Sequence, residues 1–119
     1  MTTAIIDITN KEGSQNDHFY IYVHGDGGPD YLGQKVEDFS KGYEIVNGLP
    51  AGDLSLRKIA NGMGDFAAQL LAYLKVYDNT IIKGYVYLVS KDYAENVDAD
   101  YWYAIDLEEG QLTFIPPVK

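Results

Sequence analysis

The chain has 119 residues and a formal charge of −9, because 18 acidic side chains outnumber nine basic ones. The length predicts a single domain spanning residues 1–119. The charge disfavours direct binding to nucleic acid, since a phosphate backbone is bound mainly through cations. The lack of cysteine excludes disulfides, thiolate zinc sites and cysteine nucleophiles.

The composition also indicates where the protein resides. The sequence has no run of about 18 apolar residues, so we expect no membrane-spanning helix and no membrane partner. Residues 1–4 lack the basic start and apolar centre of a signal peptide. With no cysteine to oxidise, these features predict a cytoplasmic protein.

Two strands are predicted near the start of the chain. Residues 3–9 are apolar with β-branched members, and residues 18–23 are aromatic or β-branched almost throughout. Residues 10–17 between them are polar and rich in turn formers. We therefore expect the two strands to pair as a hairpin.

Two helices are predicted next. Pro29 suits the first position of a helix, and Leu32, Val36 and Phe39 then recur at helical spacing, ending near Gly42. Residues 43–53 contain glycine and proline and are expected to form a connection.

The clearest helical periodicity is the apolar series in residues 56–74. Gly62 and Gly64 interrupt it, so this helix either bends there or begins at Asp65, which is a suitable cap. Residues 66–77 are its most regular part.

Three further strands are predicted at residues 81–90, 100–107 and 111–115, with a polar loop at 91–98. Glu108-Glu109-Gly110 predicts a tight turn between the last two strands, and Pro116-Pro117 ends the sheet. The order ββααβββ predicts an α+β fold, an antiparallel sheet of about five strands with two helices packed on one face.

The corner at residues 24–33, HGDGGPDYLG, is a candidate site. A helix start preceded by glycines can bind an anion, but Asp26 and Asp30 bring negative charge and are expected to cap the helix themselves. Two interpretations remain open, a structural corner or a small-ligand or metal contact through His24 and these aspartates. The glycine spacing fits neither a phosphate-binding loop nor a dinucleotide fingerprint.

His24, Asp26 and Asp30 could supply one nitrogen and two oxygens to a divalent cation. His18, the second histidine of the chain, and Asp7 and Asp106 on predicted neighbouring strands are further residues that could lie nearby. A catalytic metal usually needs three protein ligands, and nothing in the spacing requires one here. The serines do not occur in a nucleophile elbow. The sequence therefore predicts no catalytic residue, no metal and no cofactor.

Eleven tyrosines suggest an interaction surface instead. Three pairs are spaced two apart on predicted strands, so that each pair shares a sheet face: Tyr20 and Tyr22, Tyr85 and Tyr87, Tyr101 and Tyr103. If all three pairs share one face, they form an aromatic surface for a protein partner or a homodimer. Otherwise several of them line the core.

Residues 22–33, YVHGDGGPDYLG, resemble a pattern found in small phage and bacterial proteins of uncharacterised function, in which a strand runs into a His-x-Asp-Gly-Tyr-Pro corner before a helix. The MTT start and residues 101–107, YWYAIDL, are similar to that family too. Gly28 stands where the family usually has an aromatic residue. The resemblance implies a phage or mobile-element context and, by analogy, a protein that blocks a host factor.

These features predict a non-enzymatic protein that binds a host protein stoichiometrically. Its most concrete form is an anti-defence, anti-CRISPR-like inhibitor that occupies a basic nucleic-acid-binding surface. The predicted binding residues are the six paired tyrosines with Asp26 and Asp30. The alternative is a small metal- or nucleotide-dependent hydrolase centred on His24, Asp26 and Asp30, and a third possibility is dimerisation through the tyrosine face.

Overall fold

The computed structural model describes residues 1–12, 17–52, 54, 57–77 and 82–117. Its strands are β1 (Thr3–Asn10), β2 (Asp17–His24), β3 (Glu44–Val46), β4 (Ile59–Asn61), β5 (Val86–Val89), β6 (Tyr101–Glu108) and β7 (Gln111–Ile115). Its α-helices are α1 (Gln34–Ser40), α2 (Gly62–Ala72) and α3 (Lys91–Asn96). A π-helical turn (Pro29–Gly33) leads into α1, another (Tyr73–Tyr77) follows α2, and a 3₁₀ turn (Lys83–Tyr85) precedes β5.

The main sheet of the described residues has the spatial order β5-β2-β1-β6-β7. The β1–β2, β2–β5 and β6–β7 pairs are antiparallel, whereas β6 runs parallel to β1 from the Ala4–Tyr101 pair onward. The predicted α+β class and the β1–β2 hairpin are confirmed. The prediction of a purely antiparallel sheet is wrong. β5 and β6 run in the same direction, and the connection between them through α3 crosses the sheet and places β6 parallel to β1.

A third helix changes the predicted layers. Residues 91–98 were expected to form a loop, but α3 begins there because Ser90 Oγ accepts a hydrogen bond from the Tyr93 N–H at 3.1 Å. Asp92 lies in the first turn, where its negative charge is attracted to the positive end of the helix dipole and stabilises the helix. Ala94 packs against the sheet on the side away from α1 and α2. The expectation of helices on one face, in the order ββααβββ, is therefore wrong.

Two short strands replace parts of the predicted connection and helix. β3 and β4 form a separate parallel pair, with Glu44 opposite Ile59. α2 then begins at Gly62, three residues before the predicted cap, because the Asp65 carboxylate accepts the Asn61 N–H at 2.8 Å. Position 56, where the predicted periodicity started, and position 81, where the third strand was expected to start, lie outside the described residues.

The core lies between the sheet and the helical segments α1, α2 and their π-helical turns, on what we call the helical face. Its large members are Leu32, Val36, Met63, Phe66, Leu70 and Leu74 from the helical segments and Ile6, Ile8, Ile21, Val23, Tyr103 and Ile105 from the strands. Each such buried side chain contributes about 1.5–3 kcal/mol relative to an exposed one. In the described residues, no helix has the length and hydrophobicity to cross a lipid bilayer.

Tyr103 fastens β6 to the corner that follows β2. It is fully buried, and its hydroxyl donates to the Gly27 carbonyl at 2.7 Å. Its ring lies so close to Gly33 that a Cβ there would stand 3.0 Å away. Burial raises the pKa of Tyr103 to about 12, so the phenol stays protonated as a hydrogen-bond donor.

Replacing Tyr103 with phenylalanine should change the stability of the fold at high pH. The pKa of Tyr103 in the folded protein lies above the ordinary value of about 10. The protonated Tyr103 phenol therefore contributes fully to the free energy of unfolding below about pH 10, and this contribution is lost towards about pH 12. That loss amounts to about 2–3 kcal/mol. Tyr103→Phe should cost about 1 kcal/mol near neutral pH and remove this alkaline loss.

Urea unfolding at about pH 8 and about pH 11 measures the effect. Tyr87→Phe is the control, because solvent screens the half-exposed Tyr87 phenol and its removal should change the alkaline loss less. If Tyr103→Phe loses as much stability at high pH as the wild type does, the conclusion that Tyr103 has a raised pKa in the folded protein is contradicted.

Candidate protein-binding surface

The other side of the sheet, partly covered by α3, carries a cluster of aromatic side chains, and we call this side the α3 face. Tyr22 is at its centre, buried on β2 opposite Tyr87 of β5. Its ring centroid lies 5.3 Å from that of Tyr87, 5.7 Å from that of Tyr93 and 5.7 Å from that of His24. Such distances allow the tilted and edge-on contacts that favour aromatic pairs.

The outer members of this cluster reach solvent. Tyr87, Tyr93 and Trp102 are 39%, 42% and 40% exposed, whereas Tyr20 and Tyr22 beneath them are buried. Trp102 packs against Tyr20, with ring centroids 6.1 Å apart. The Tyr87 and Tyr93 hydroxyls are 3.5 Å apart. These three exposed rings, the outer aromatics, are therefore supported by a packed inner layer.

Acidic side chains are concentrated in the segment that contains α3. Asp92, Glu95, Asp98 and Asp100 are all exposed on α3 and the loop after it, and they define the acidic rim. Their charges reach the inner tyrosines: the pKa of Tyr20 is raised by burial and then by Asp7 and Glu95. The pKa of Tyr22 is raised by burial and then by Tyr93 and Asp100. The surface is therefore both apolar and negatively charged.

Tyr87 remains neutral under ordinary conditions. The hydrogen bond with Tyr93, followed by burial, raises the pKa of Tyr87 to about 12. A neutral phenol can both donate and accept a hydrogen bond. The outer aromatics can therefore bind polar groups as well as apolar ones.

The structure separates the predicted tyrosine pairs. Tyr101 and Tyr103 pack on the helical face, because the register places Ile5 beside Trp102 and directs that tryptophan to the α3 face. Tyr85 ends the 3₁₀ turn, where its ring lies edge-on to His24 with centroids 5.1 Å apart. The α3 face therefore holds Tyr20, Tyr22 and Tyr87, and a single platform of three pairs is not formed.

Sequence reasoning missed two of the outer aromatics. Trp102 lies between Tyr101 and Tyr103, so alternation predicted that either the tryptophan or the tyrosines face outward, without deciding which. Tyr93 lies in the segment predicted as a loop. The signal that could have found it is Ser90 followed by Asp92, a typical start of a helix.

The corner at residues 24–33 satisfies much of its own hydrogen bonding. The N–H of Gly27 donates to the Thr2 carbonyl at 3.0 Å, and the N–H groups of Tyr31 and Gly33 both donate to the Gly28 carbonyl. Gly28 is the N-cap, and no side chain caps this end. The predicted capping by Asp26 and Asp30 is therefore wrong. Asp30 lies in the first turn, and Asp26 has a positive φ of 54°.

His24 belongs to the aromatic cluster rather than to a catalytic set. Its Nδ1 is 2.7 Å from the Tyr22 hydroxyl, and its ring contacts Tyr22 and Tyr85. Among the described residues, no group of three or more His, Cys, Asp or Glu side chains is arranged to hold a metal ion.

The further residues His18, Asp7 and Asp106 are brought together only in part. His18 Nδ1 donates to Asp7 Oδ1 at 2.8 Å, and the Thr9 hydroxyl donates to the same oxygen at 2.9 Å. Asp106 instead pairs with Lys11 at 2.8 Å. The Thr9 hydroxyl is 3.1 Å from His18 Nδ1, the same nitrogen that binds Asp7. In a nucleophile triad, the hydroxyl and the carboxylate bind different nitrogens of the histidine, so these residues do not form one.

Comparison with known proteins gives no match: no protein-family model fits the chain, and no curated protein or solved structure is similar to it. The resemblance to small phage and bacterial proteins stays a prediction.

The two central glycines of the corner should respond differently to alanine. A Cβ on Gly27 would lie 2.9 Å from the Ala4 Cβ and 3.0 Å from the Thr3 backbone, whereas a Cβ on Gly28 meets nothing within 4 Å. We expect Gly27→Ala to cost about 1–3 kcal/mol, because the backbone of β1 must move. Gly28→Ala should change stability by less than about 0.5 kcal/mol.

Thermal and urea unfolding of both variants measure this difference. Gly28→Ala is the matched control, since it makes the same chemical change one residue away. Equal stability of the two variants would show that the close approach of the corner to β1 is not a constraint.

Proposed function

We propose that this protein binds a basic surface of another protein through the outer aromatics and the acidic rim. The observation that supports this most is the position of three half-exposed aromatic rings, on a packed inner layer, beside four exposed carboxylates. Side chains that are already held in place lose little entropy on binding, which favours affinity.

The two parts of the surface have different physical roles. Tyrosine and tryptophan at the centre of an interface often carry most of the binding energy. Carboxylates around them speed association with a basic partner and disfavour acidic ones. An arginine of the partner would be attracted to the face of Trp102 and to the rim carboxylates together.

The most concrete form of this proposal is an anti-defence inhibitor of a phage or mobile element, similar to anti-CRISPR proteins. A surface that binds nucleic acid is basic, and the acidic rim would replace the phosphates there. The net charge of −9 supports this partner and opposes direct binding of nucleic acid. The hydrolase alternative has less support, since the His24 ring packs between Tyr22 and Tyr85.

Removing two rim charges should weaken this binding more than removing two charges elsewhere. We expect Glu95→Gln combined with Asp98→Asn to weaken binding about 10-fold at low salt, with a shallower salt dependence. The control is Glu37→Gln combined with Asp38→Asn on α1, which changes the net charge equally on exposed residues of the other face.

The measurement uses basic nucleic-acid-binding proteins of the host, CRISPR effectors included, each loaded with fluorescent DNA or RNA. Release of the labelled strand is followed by anisotropy as the wild type or a variant is added. Stoichiometric release by the wild type supports the proposal. Equal weakening by both charge pairs, or no release from any effector in the panel, would count against it.

Trp102→Ala should separate binding from folding. The ring is 40% exposed, so its loss leaves a partly open site rather than a sealed cavity. We expect affinity for the partner to fall at least about 10-fold, as for a central aromatic contact. Isothermal titration gives the affinity and circular dichroism the fold. Leu88→Ala, an exposed apolar residue on the helical face, is the control that should leave affinity unchanged.

A further inference from the structure

The two edges of the main sheet differ in how they are protected. At the β5 edge, the Lys75 ammonium group donates to the Val86 carbonyl at 2.7 Å and to the Lys83 carbonyl at 2.8 Å. β5 is also only four residues long and lies between a 3₁₀ turn and α3. Short strands and lysines at an edge oppose pairing with another strand.

At the β7 edge, which has five residues and is followed by Pro116, no lysine in the described part of the chain donates to a carbonyl of the strand. β6 and β7 are joined by Glu109 and Gly110, whose φ angles of 52° and 76° are those of a type I′ turn. In such a hairpin the flanking pair, Glu108 and Gln111, is hydrogen-bonded, and bonding alternates from there. The N–H and C=O groups of Leu112 and Phe114 therefore point away from β6, and no hydrogen bond of the described residues reaches them.

The space beside this edge is open. A groove of about 580 Å³ lies between the end of α1, with Lys41 to Tyr43 beyond it, and β7 with Gly110. Because the helices leave this groove unfilled, another strand can approach the outward groups of β7.

We propose that β7 pairs antiparallel with β7 of a second copy of this chain, about a two-fold axis at Thr113. In that register Leu112 of each copy exchanges both hydrogen bonds with Phe114 of the other. All the outward groups of both residues are then satisfied. The two sheets become one continuous sheet through an isologous contact.

The chemistry of the strand favours a second copy over another partner strand. Residues 111–117 carry no charge, so two copies of a chain of net charge −9 can meet there without placing charged side chains of β7 against each other. The register places Thr113 beside Thr113 and Leu112 beside Phe114, both favourable cross-strand pairs. Gly110 and Glu109 of one copy face Pro116 and Pro117 of the other, so Glu109 does not meet its own equivalent.

The contact is small, so we expect a weak, concentration-dependent dimer with a dissociation constant between about 1 μM and 1 mM. It uses the sheet edge and not the outer aromatics. Its existence is independent of the proposed binding function.

Single cysteines test the register directly, because the chain has none of its own. On the axis, the two Thr113 Cα atoms would be about 4.5 Å apart, within the range that a disulfide spans. Thr113→Cys should form a disulfide-linked dimer under mild oxidation. The matched control, Ile115→Cys, should not, since its two copies would lie about 13 Å apart along the strands.

Sedimentation velocity at rising protein concentration tests the dimer in solution. Thr113→Lys and Thr113→Glu should each be monomeric, because like charges would meet on the axis, and an equimolar mixture should dimerise again. Leu88→Lys on β5 and Tyr87→Ser on the α3 face should dimerise like the wild type. A wild-type monomer at about 1 mM, a dimer lost in either of these last two variants, or a cross-link through Ile115→Cys instead of Thr113→Cys would overturn the proposal.

Discussion

The parallel pairing of β1 with β6 is the constraint on which the rest of the structure depends. It places the first strand at the centre of the sheet, with Ile6 opposite Tyr103 on the helical face. The same register directs Trp102 to the α3 face. One set of backbone hydrogen bonds therefore decides both the composition of the core and the identity of the exposed aromatic residues.

The two faces of the sheet use aromatic residues for different purposes. On the helical face, Tyr103 is buried completely and its hydroxyl is used within the protein, on the Gly27 carbonyl. On the α3 face, Tyr87 and Tyr93 keep their hydroxyls at the surface. The same residue type thus fixes the corner on one side and reaches solvent on the other.

Local patterns predicted the elements better than their arrangement. The limits of β7 were predicted residue by residue, since a tight turn and two prolines bound it. The α3 helix is short and polar, so apolar periodicity does not predict it, and its main sequence signal is the Ser90 cap. The pairing of strands that are far apart in sequence depends on tertiary packing, which periodicity does not encode. The face occupied by Trp102 depends on that pairing and could not be predicted either.

The position of β6 has a consequence for how the chain folds. The Thr3 N–H donates to the Asp100 carboxylate, a contact across 97 residues of sequence. The pairing of β1 with β6 begins at the next residue of each strand, Ala4 with Tyr101. Contacts between residues so far apart in sequence form late in folding. The chain must first lose the entropy of closing a long loop, and the contacts compensate for that loss only once they have formed. During synthesis, β1 and β2 emerge first and wait with one side of β1 unpaired until almost the whole chain is made.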